Sequence, residues 1–310
     1  SILGSGYIQV GKFDIGPIFF FFLYNDVEGQ RLRFGGRTYF GPNDPWRIQG
    51  YTAYGFKDDK MKYGINARVM LDKKNRFIIS FGNRRDVEQI GVSLTTSNDV
   101  LGRSFASSSF FSSGTNNKLT NVNLTNLGFE IEPVKNLVFE SSFSYRTLSS
   151  ASSEFNINYF TDDTFTTTAN KITQSEVNFL VNYTPKRKMV GYGVDRIDVD
   201  LNYPRIFVSY SQGLKGVFDS DFNYSKLQLY YRQPLLIGGF GRLFSTLEVG
   251  KTFGTVPLSL MGVIPGNQSY FIIDNTYNLL NYYDFVADQY TSLHLEHNFN
   301  GKLFSRIPLL

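Results

Sequence analysis

Lys135-Asn-Leu-Val-Phe-Glu-Ser-Ser-Phe-Ser-Tyr-Arg146 decides the fold: Leu137, Phe139, Phe143 and Tyr145 share one parity, while Val138, Glu140, Ser142, Ser144 and Arg146 share the other. A strand sends successive side chains to opposite faces, so this stretch has one apolar face and one mostly polar face. The pattern returns along the chain with turn residues between copies. No segment holds the roughly 18 consecutive apolar residues of a membrane-spanning helix. Repeated strands with one apolar and one polar face are the sequence form of a transmembrane antiparallel β-barrel.

Composition agrees with an all-β chain. Of 310 residues, 30 are Phe and 20 are Tyr. Ala, the best helix former, occurs only at Ala53, Ala67, Ala106, Ala151, Ala169 and Ala287. A mean hydropathy of -0.20 is compatible with a barrel, whose lumen and loops are polar and whose alternate residues alone meet lipid. It is equally compatible with a soluble β-sandwich. With zero cysteines the chain cannot be a disulfide or Cys–metal scaffold. The net charge of +4 is dispersed, with no run beyond Lys186-Arg-Lys188 and Arg84-Arg85, so no nucleic-acid footprint is expected. The start at Ser1-Ile2-Leu3 has no charged and apolar leader, as in a mature product or an interior piece.

Strands are expected over 13–23, 31–39, 46–56, 62–71, 76–84, 122–131, 137–147, 177–183, 197–203, 206–210, 227–231, 243–249 and 293–299. Asn25-Asp-Val-Glu-Gly29 and Gly41-Pro-Asn-Asp-Pro45 read as turns, while 97–120, 149–173 and 254–290 read as long connections. Short turns alternating with long polar loops favour a membrane barrel over a sandwich, which rarely needs several loops of 20 or more residues.

Four groups of side chains invite a chemical reading. Arg31, Arg33 and Arg37 lie on one face of one strand. At about 2–4 kcal/mol each in mid-membrane, they are expected to face a wet lumen, either selecting anions or pairing with Glu28, Asp58, Glu130 and Glu248. His294 and Glu296 share a face while His297 points away, so the three cannot converge on a metal. Gly35-Gly36 and Gly238-Gly-Phe-Gly241 precede no helix, which excludes a phosphate-cradling turn. The hydroxyl-rich stretches 107–113 and 164–168 have no nearby His or acid to activate them. No catalytic, cofactor or metal site is expected.

Several motifs in order carry a family resemblance: residues 25–37 as Asn25-Asp-Val-Glu-Gly-Gln-Arg-Leu-Arg-Phe-Gly-Gly-Arg37, then Gly50-Tyr-Thr-Ala-Tyr-Gly-Phe-Lys-Asp58 and Lys62-Tyr-Gly64. Later come Val256-Pro257, Gly266-Asn267-Gln268, Asp284-Phe285, Asp288-Gln-Tyr290, Leu295-Glu-His297 and Arg306-Ile-Pro308. With these the chain resembles the Bacteroidota outer-membrane proteins that join an N-terminal carboxypeptidase-regulatory-like domain to a barrel of unknown function. That barrel is similar to the BamA/TamA-type insertase superfamily, which implies sixteen strands and a role in protein assembly or export.

The resemblance implies one outer-membrane β-barrel domain over 1–310, with about 12–14 strands of a sixteen-stranded barrel. The N-terminal periplasmic domain and the last strands would be missing, and 254–290 would be a long loop able to fold inward. The superfamily's inward loop bears an Arg-Gly-aromatic motif, but 254–290 holds no arginine, so the insertase mechanism does not carry over. Family-signature and lumenal candidates are Asn25, Glu28, Gly29, Arg31, Arg33, Arg37, Tyr54, Gly55, Asp58, Lys62, Tyr63, Gly64, Gly266, Asn267, Asp288 and Glu296. Gly29, Gly55 and Gly64 are expected to serve turns or bends. The expected function is a non-enzymatic outer-membrane barrel in envelope protein assembly or export, or a subunit of a larger complex. Its partners would be outer-membrane lipids and other envelope proteins, with no nucleic acid and no metal. A porin-like channel for small solutes and a soluble β-sandwich or adhesin module are the alternatives.

Overall fold

The computed structural model describes residues 6–91, 117–162, 164–199, 202–264, 266, 277 and 279–301. The expectations on Asn267, 107–113 and 306–308 lie outside these residues. Fourteen strands form one antiparallel sheet: β1 (Ile8–Val10), β2 (Phe13–Ile15), β3 (Phe22–Asn25), β4 (Gly29–Thr38), β5 (Trp46–Gly55), β6 (Lys60–Asp72), β7 (Phe77–Glu88), β8 (Thr120–Val134), β9 (Leu137–Ser150), β10 (Lys171–Tyr183), β11 (Arg205–Gly213), β12 (Tyr224–Leu236), β13 (Arg242–Phe253) and β14 (Gln289–Asn298). Each long strand pairs with its sequence neighbours, and β2 and β3 both pair with β4. Among the described residues β1 and β14 do not pair, so the sheet is open. No helix among them is long and apolar enough to cross a membrane.

The sheet has two unlike ends. Turns 73–76, 135–136 and 237–241 lie at one, here the short-turn end, with the longer connection 184–204. The described residues of the connections 89–119, 151–170 and 254–288 lie at the opposite, long-loop end. At the 135–136 turn Asn136 takes φ 67°. The register shifts between Ile131 and Val134, around Pro133, which has no N–H for the ladder.

The register explains the opening stretch. Ile131, Phe139, Val181, Val208, Leu229 and Val249 are successive cross-strand partners, giving one apolar row over six strands. This is the sheet's outward face, where Phe34, Ile48, Phe139, Phe179, Leu227 and Leu293 are exposed. The opposite face holds Arg31, Arg33, Lys62, Arg84, Asp86, Gln174 and Glu248, all buried.

Two expected strands are corrected. Segment 13–23 is broken: Gly16-Pro17 supplies no donor at residue 17, and a single 3₁₀ turn, Ile18–Phe20, separates β2 from β3. Segment 197–203 is not a sheet strand. Among its described residues only Ile197–Asp198 is extended, in a two-residue ladder with Met189–Val190, because ion pairs of Asp195 with Arg68 and of Arg196 with Glu132 tie this connection elsewhere. Strands expected at 206–210, 227–231 and 243–249 run longer, since polar residues on the inward parity continue the ladder.

Candidate functional site

Inward side chains of β4 to β7 converge on one buried charge cluster. The Asn25–Gly29 turn is held by the Asn25 side chain, whose Oδ1 accepts from the Val27 and Glu28 backbone N–H at 3.1 and 2.8 Å. Gly29 there adopts φ 65°, a conformation cheap for glycine. The turn aims Glu28 inward, where it accepts from Asn25 Nδ2 at 2.6 Å, Arg31 Nη1 at 2.6 Å and Lys62 Nζ at 2.8 Å. Arg31, 0% exposed, also donates to both oxygens of Asp86, at 2.7 and 2.9 Å. Such a bidentate fork is the strong form of the contact. Tyr51 donates to Asp86 at 2.5 Å. Lys62 completes the group with Asp58 at 2.6 Å. A Cβ on Gly55 would lie 2.3 Å from Asp58 Oδ1, so glycine there leaves room for that pair.

The three arginines do not form a free ladder. Arg33 lies over the Tyr51 ring at 3.8 Å, and Arg37 pairs with Asp14 at 2.9 Å while covering the Tyr7 ring at 4.0 Å. Of the expected acidic partners only Glu28 meets one of them. Asp58 serves Lys62, Glu130 serves Arg68, and Glu248 accepts from Tyr290 at 2.8 Å. Asp86 was not anticipated, because β7 was expected to end at 84; its parity with Arg84 was the available signal.

Other candidates sit apart. Tyr54 and Tyr63 point outward, Tyr54 donating to Asp59. Gly64 pairs with Tyr51 across the ladder. Gly266 forms an isolated bridge with Tyr277. Asp288 is exposed, its carbonyl accepting from Thr252 N–H. Glu296 lies on the inward parity of β14 beside Phe244, and His297 lies on the outward parity.

The short-turn end carries a second cluster that the sequence reading missed. The connection 184–204 leaves between β10 and β11 yet is anchored on β5 to β8, up to six strands away in the sheet order. At about 4.8 Å per strand, this requires the sheet to curl and the connection to cross its mouth. Asp195 receives Arg47 at 2.5 Å and Arg68 at 2.8 Å. Arg196 pairs with Glu132. Arg76 donates to the Gly193 carbonyl at 2.8 Å, and Val194 N–H donates to the Asp44 carbonyl at 2.8 Å. Val194, 2% exposed, packs with Met70 and Ile78. A Cβ on Gly193 would sit 2.8 Å from Asp44 N, so glycine permits the close approach. Within the connection, burial works to raise the Asp198 pKa, but hydrogen bonds from Arg187 and Tyr203 and the charges of Arg187 and Arg205 outweigh it, leaving it below the ordinary carboxylate value.

At the long-loop end, Ile90, Phe155, Ile157, Val256 and Leu260 from three connections pack on the inward Val122, Leu148, Ile172 and Tyr224. Tyr282 donates to the Ile90 carbonyl, Lys118 to the Tyr282 carbonyl at 3.0 Å, and Lys226 to the Leu260 carbonyl at 3.0 Å. Phe155 meets Tyr283 edge-on at 4.9 Å, and burial pushes the Tyr283 hydroxyl up to about 12. Charged groups in both clusters are engaged by one another and by backbone carbonyls. No group of His, Cys, Asp and Glu able to hold a metal occurs among the described residues.

Comparison with known proteins places the chain in context. The family of unknown function DUF5686, in its C-terminal domain, matches residues 8–310. No curated protein matches. Among solved structures, the crystal structure of BamA from Haemophilus ducreyi lacking POTRA domains 1-3 is similar at a TM-score of 0.47 and 10% identity, covering 79% of this chain and 43% of that one. The chain thus spans less than half the length of that structure.

Proposed function

The chain belongs to the DUF5686 C-terminal domain family, and from that premise we infer that it is a non-enzymatic outer-membrane barrel. It acts through protein contacts, in envelope protein assembly or export or as a subunit of an outer-membrane complex. The outward apolar rows support a lipid-facing exterior, since only a fully paired backbone with an apolar exterior is tolerated in hydrocarbon. One observation carries the choice of role: the charged segment 184–204 lies across one mouth, and the packed connections cover the inward face at the other. A solute channel needs an unobstructed polar path and wall charges available to ions. Here the arginines that would select anions hold carboxylates and aromatic rings instead.

The test is planar-bilayer conductance of the full chain, with and without residues 257–290, alongside affinity purification from native membranes. The reading expects a nearly silent intact protein, current after the deletion, and stable envelope partners in the eluate. A large steady current from the intact protein would favour a solute channel, and failure to recover any partner would remove the assembly role.

A further inference from the structure

The outward face is not uniformly covered by large side chains. Across β2, β4, β5 and β6 one outward row reads Ile15, Gly36, Gly50 and Ile65, each the cross-strand partner of the next. Two adjacent glycines leave a pit two strands wide, about 10 Å at the usual strand spacing. Ile15 and Ile65 wall it laterally, and Ile48 and Phe13 wall it toward the short-turn end; the volume is about 760 Å³. That lies within the roughly 300–1,000 Å³ of small-molecule sites. The glycines also suit the close backbone approach here: a Cβ on Gly36 would lie 2.9 Å from the Asp14 carbonyl, and one on Gly50 would lie 3.0 Å from the Gly64 carbonyl.

A cation stands at the rim. Lys12, in the β1–β2 turn, is exposed and lies 5.4 Å from the centre of the Phe40 ring, which packs on Trp46 at 5.2 Å. An apolar pit below an aromatic pair and a lysine matches the order of parts in a phospholipid: acyl chain, interfacial region, phosphate. We propose that this pit is a specific site for an anionic phospholipid, its acyl chain on the Gly36–Gly50 floor and its phosphate on Lys12. The proposal rests on the membrane-barrel reading. A protein partner would bring its own side chain to the glycine floor, but the charge at the rim and the nearly all-apolar lining favour lipid.

The experiment reconstitutes the full chain in vesicles containing phosphatidylglycerol with a diazirine on the acyl chain, and maps the crosslinks by peptide mass spectrometry. Labelling at 10–15, 48–50 and 63–65 is expected to exceed the mean of the outward band by about tenfold, the ratio that 1.4 kcal/mol of preference produces. Gly50→Leu and, with less demand on the backbone, Ile65→Trp are expected to bring this local excess to the band mean while labelling of β9 to β13 stays unchanged. Lys12→Glu is expected to remove the preference for phosphatidylglycerol over phosphatidylcholine. Uniform labelling of the band, or depletion at the pit through cover by another protein, overturns the site but leaves the barrel intact. Absence of label from the whole outward band overturns the membrane reading itself.

Discussion

Replacing Arg31 by Met tests whether the inward charge cluster holds the sheet in shape. The side chain is wholly buried and bridges Glu28 at 2.6 Å and Asp86 at 2.7 and 2.9 Å, both nearly inaccessible to water. Methionine keeps the stem's packing but removes the cation. Glu28 then depends on Lys62 and Asn25, and Asp86 on Tyr51 and the Val87 N–H at 2.7 Å. Removing one member of a buried pair costs about 3–5 kcal/mol, since the partner's charge stays desolvated. Asp86→Asn retains shape and is expected to cost about 1.5–3 kcal/mol, the range for a hydrogen bond to a charged group. The double variant loses the stranded charge, so the two costs should overlap by at least about 1.5 kcal/mol. Urea unfolding of vesicle-reconstituted protein, followed by fluorescence of Trp46, the one tryptophan in the chain, reads the midpoints; an unchanged denaturant slope confirms that stability alone moved. Additivity within about 0.5 kcal/mol would refute the reasoning, showing that water screens the pair.

Three further outcomes follow from the same geometry. Phe139→Lys, on the exposed outward row, should lower the stability of the membrane-inserted protein by about 2–4 kcal/mol, whereas Ser142→Lys on the inward parity should be far milder; vesicle unfolding titrations compare them. Leu148→Ala should cost about 2–5 kcal/mol by opening a cavity beneath the long-loop cluster, read from the same titrations. The native pKa of Asp198 is lowered, so its contribution to fastening 184–204 on itself and on Arg205 is present above the ordinary carboxylate value and lost as pH falls through the native one. Hydrogen-exchange protection of 187–199 should therefore drop below about pH 4, and protection unchanged down to pH 3 would contradict this fastening.

The alternation of Leu137 to Arg146 was legible because period two survives any tertiary context that buries one face. The arginine face of β4 was legible for the same reason: Arg31, Arg33 and Arg37 cannot meet hydrocarbon. Of their carboxylate partners only Glu28 was. Asp86 comes from a strand three places away in the ladder order, and pairing across the two intervening strands depends on curl, which a pattern of alternation does not encode. The 197–203 segment misled because Ile197, Val199 and Leu201 alternate as in a strand, while the decisive contacts of Asp195 and Arg196 reach residues more than 60 positions distant. Segment 13–23 misled through its Phe run, where Gly16-Pro17 should have outweighed apolarity. The glycine pit was within reach of sequence only once the register aligned Gly36 with Gly50.

The most direct measurement uses the absence of cysteine. Single cysteines placed from 137 to 146, one per variant in the vesicle-reconstituted chain, are exposed to a water-soluble maleimide and to a lipid-phase quencher or label. The account predicts a period of two: Leu137, Phe139, Phe143 and Tyr145 positions reached from lipid and refractory to maleimide, and the Glu140, Ser142 and Ser144 positions never reached from lipid. Maleimide reaction at Phe139→Cys and Phe143→Cys as fast as in a soluble peptide, with no contact from the lipid phase, would contradict a membrane-facing exterior and with it the barrel.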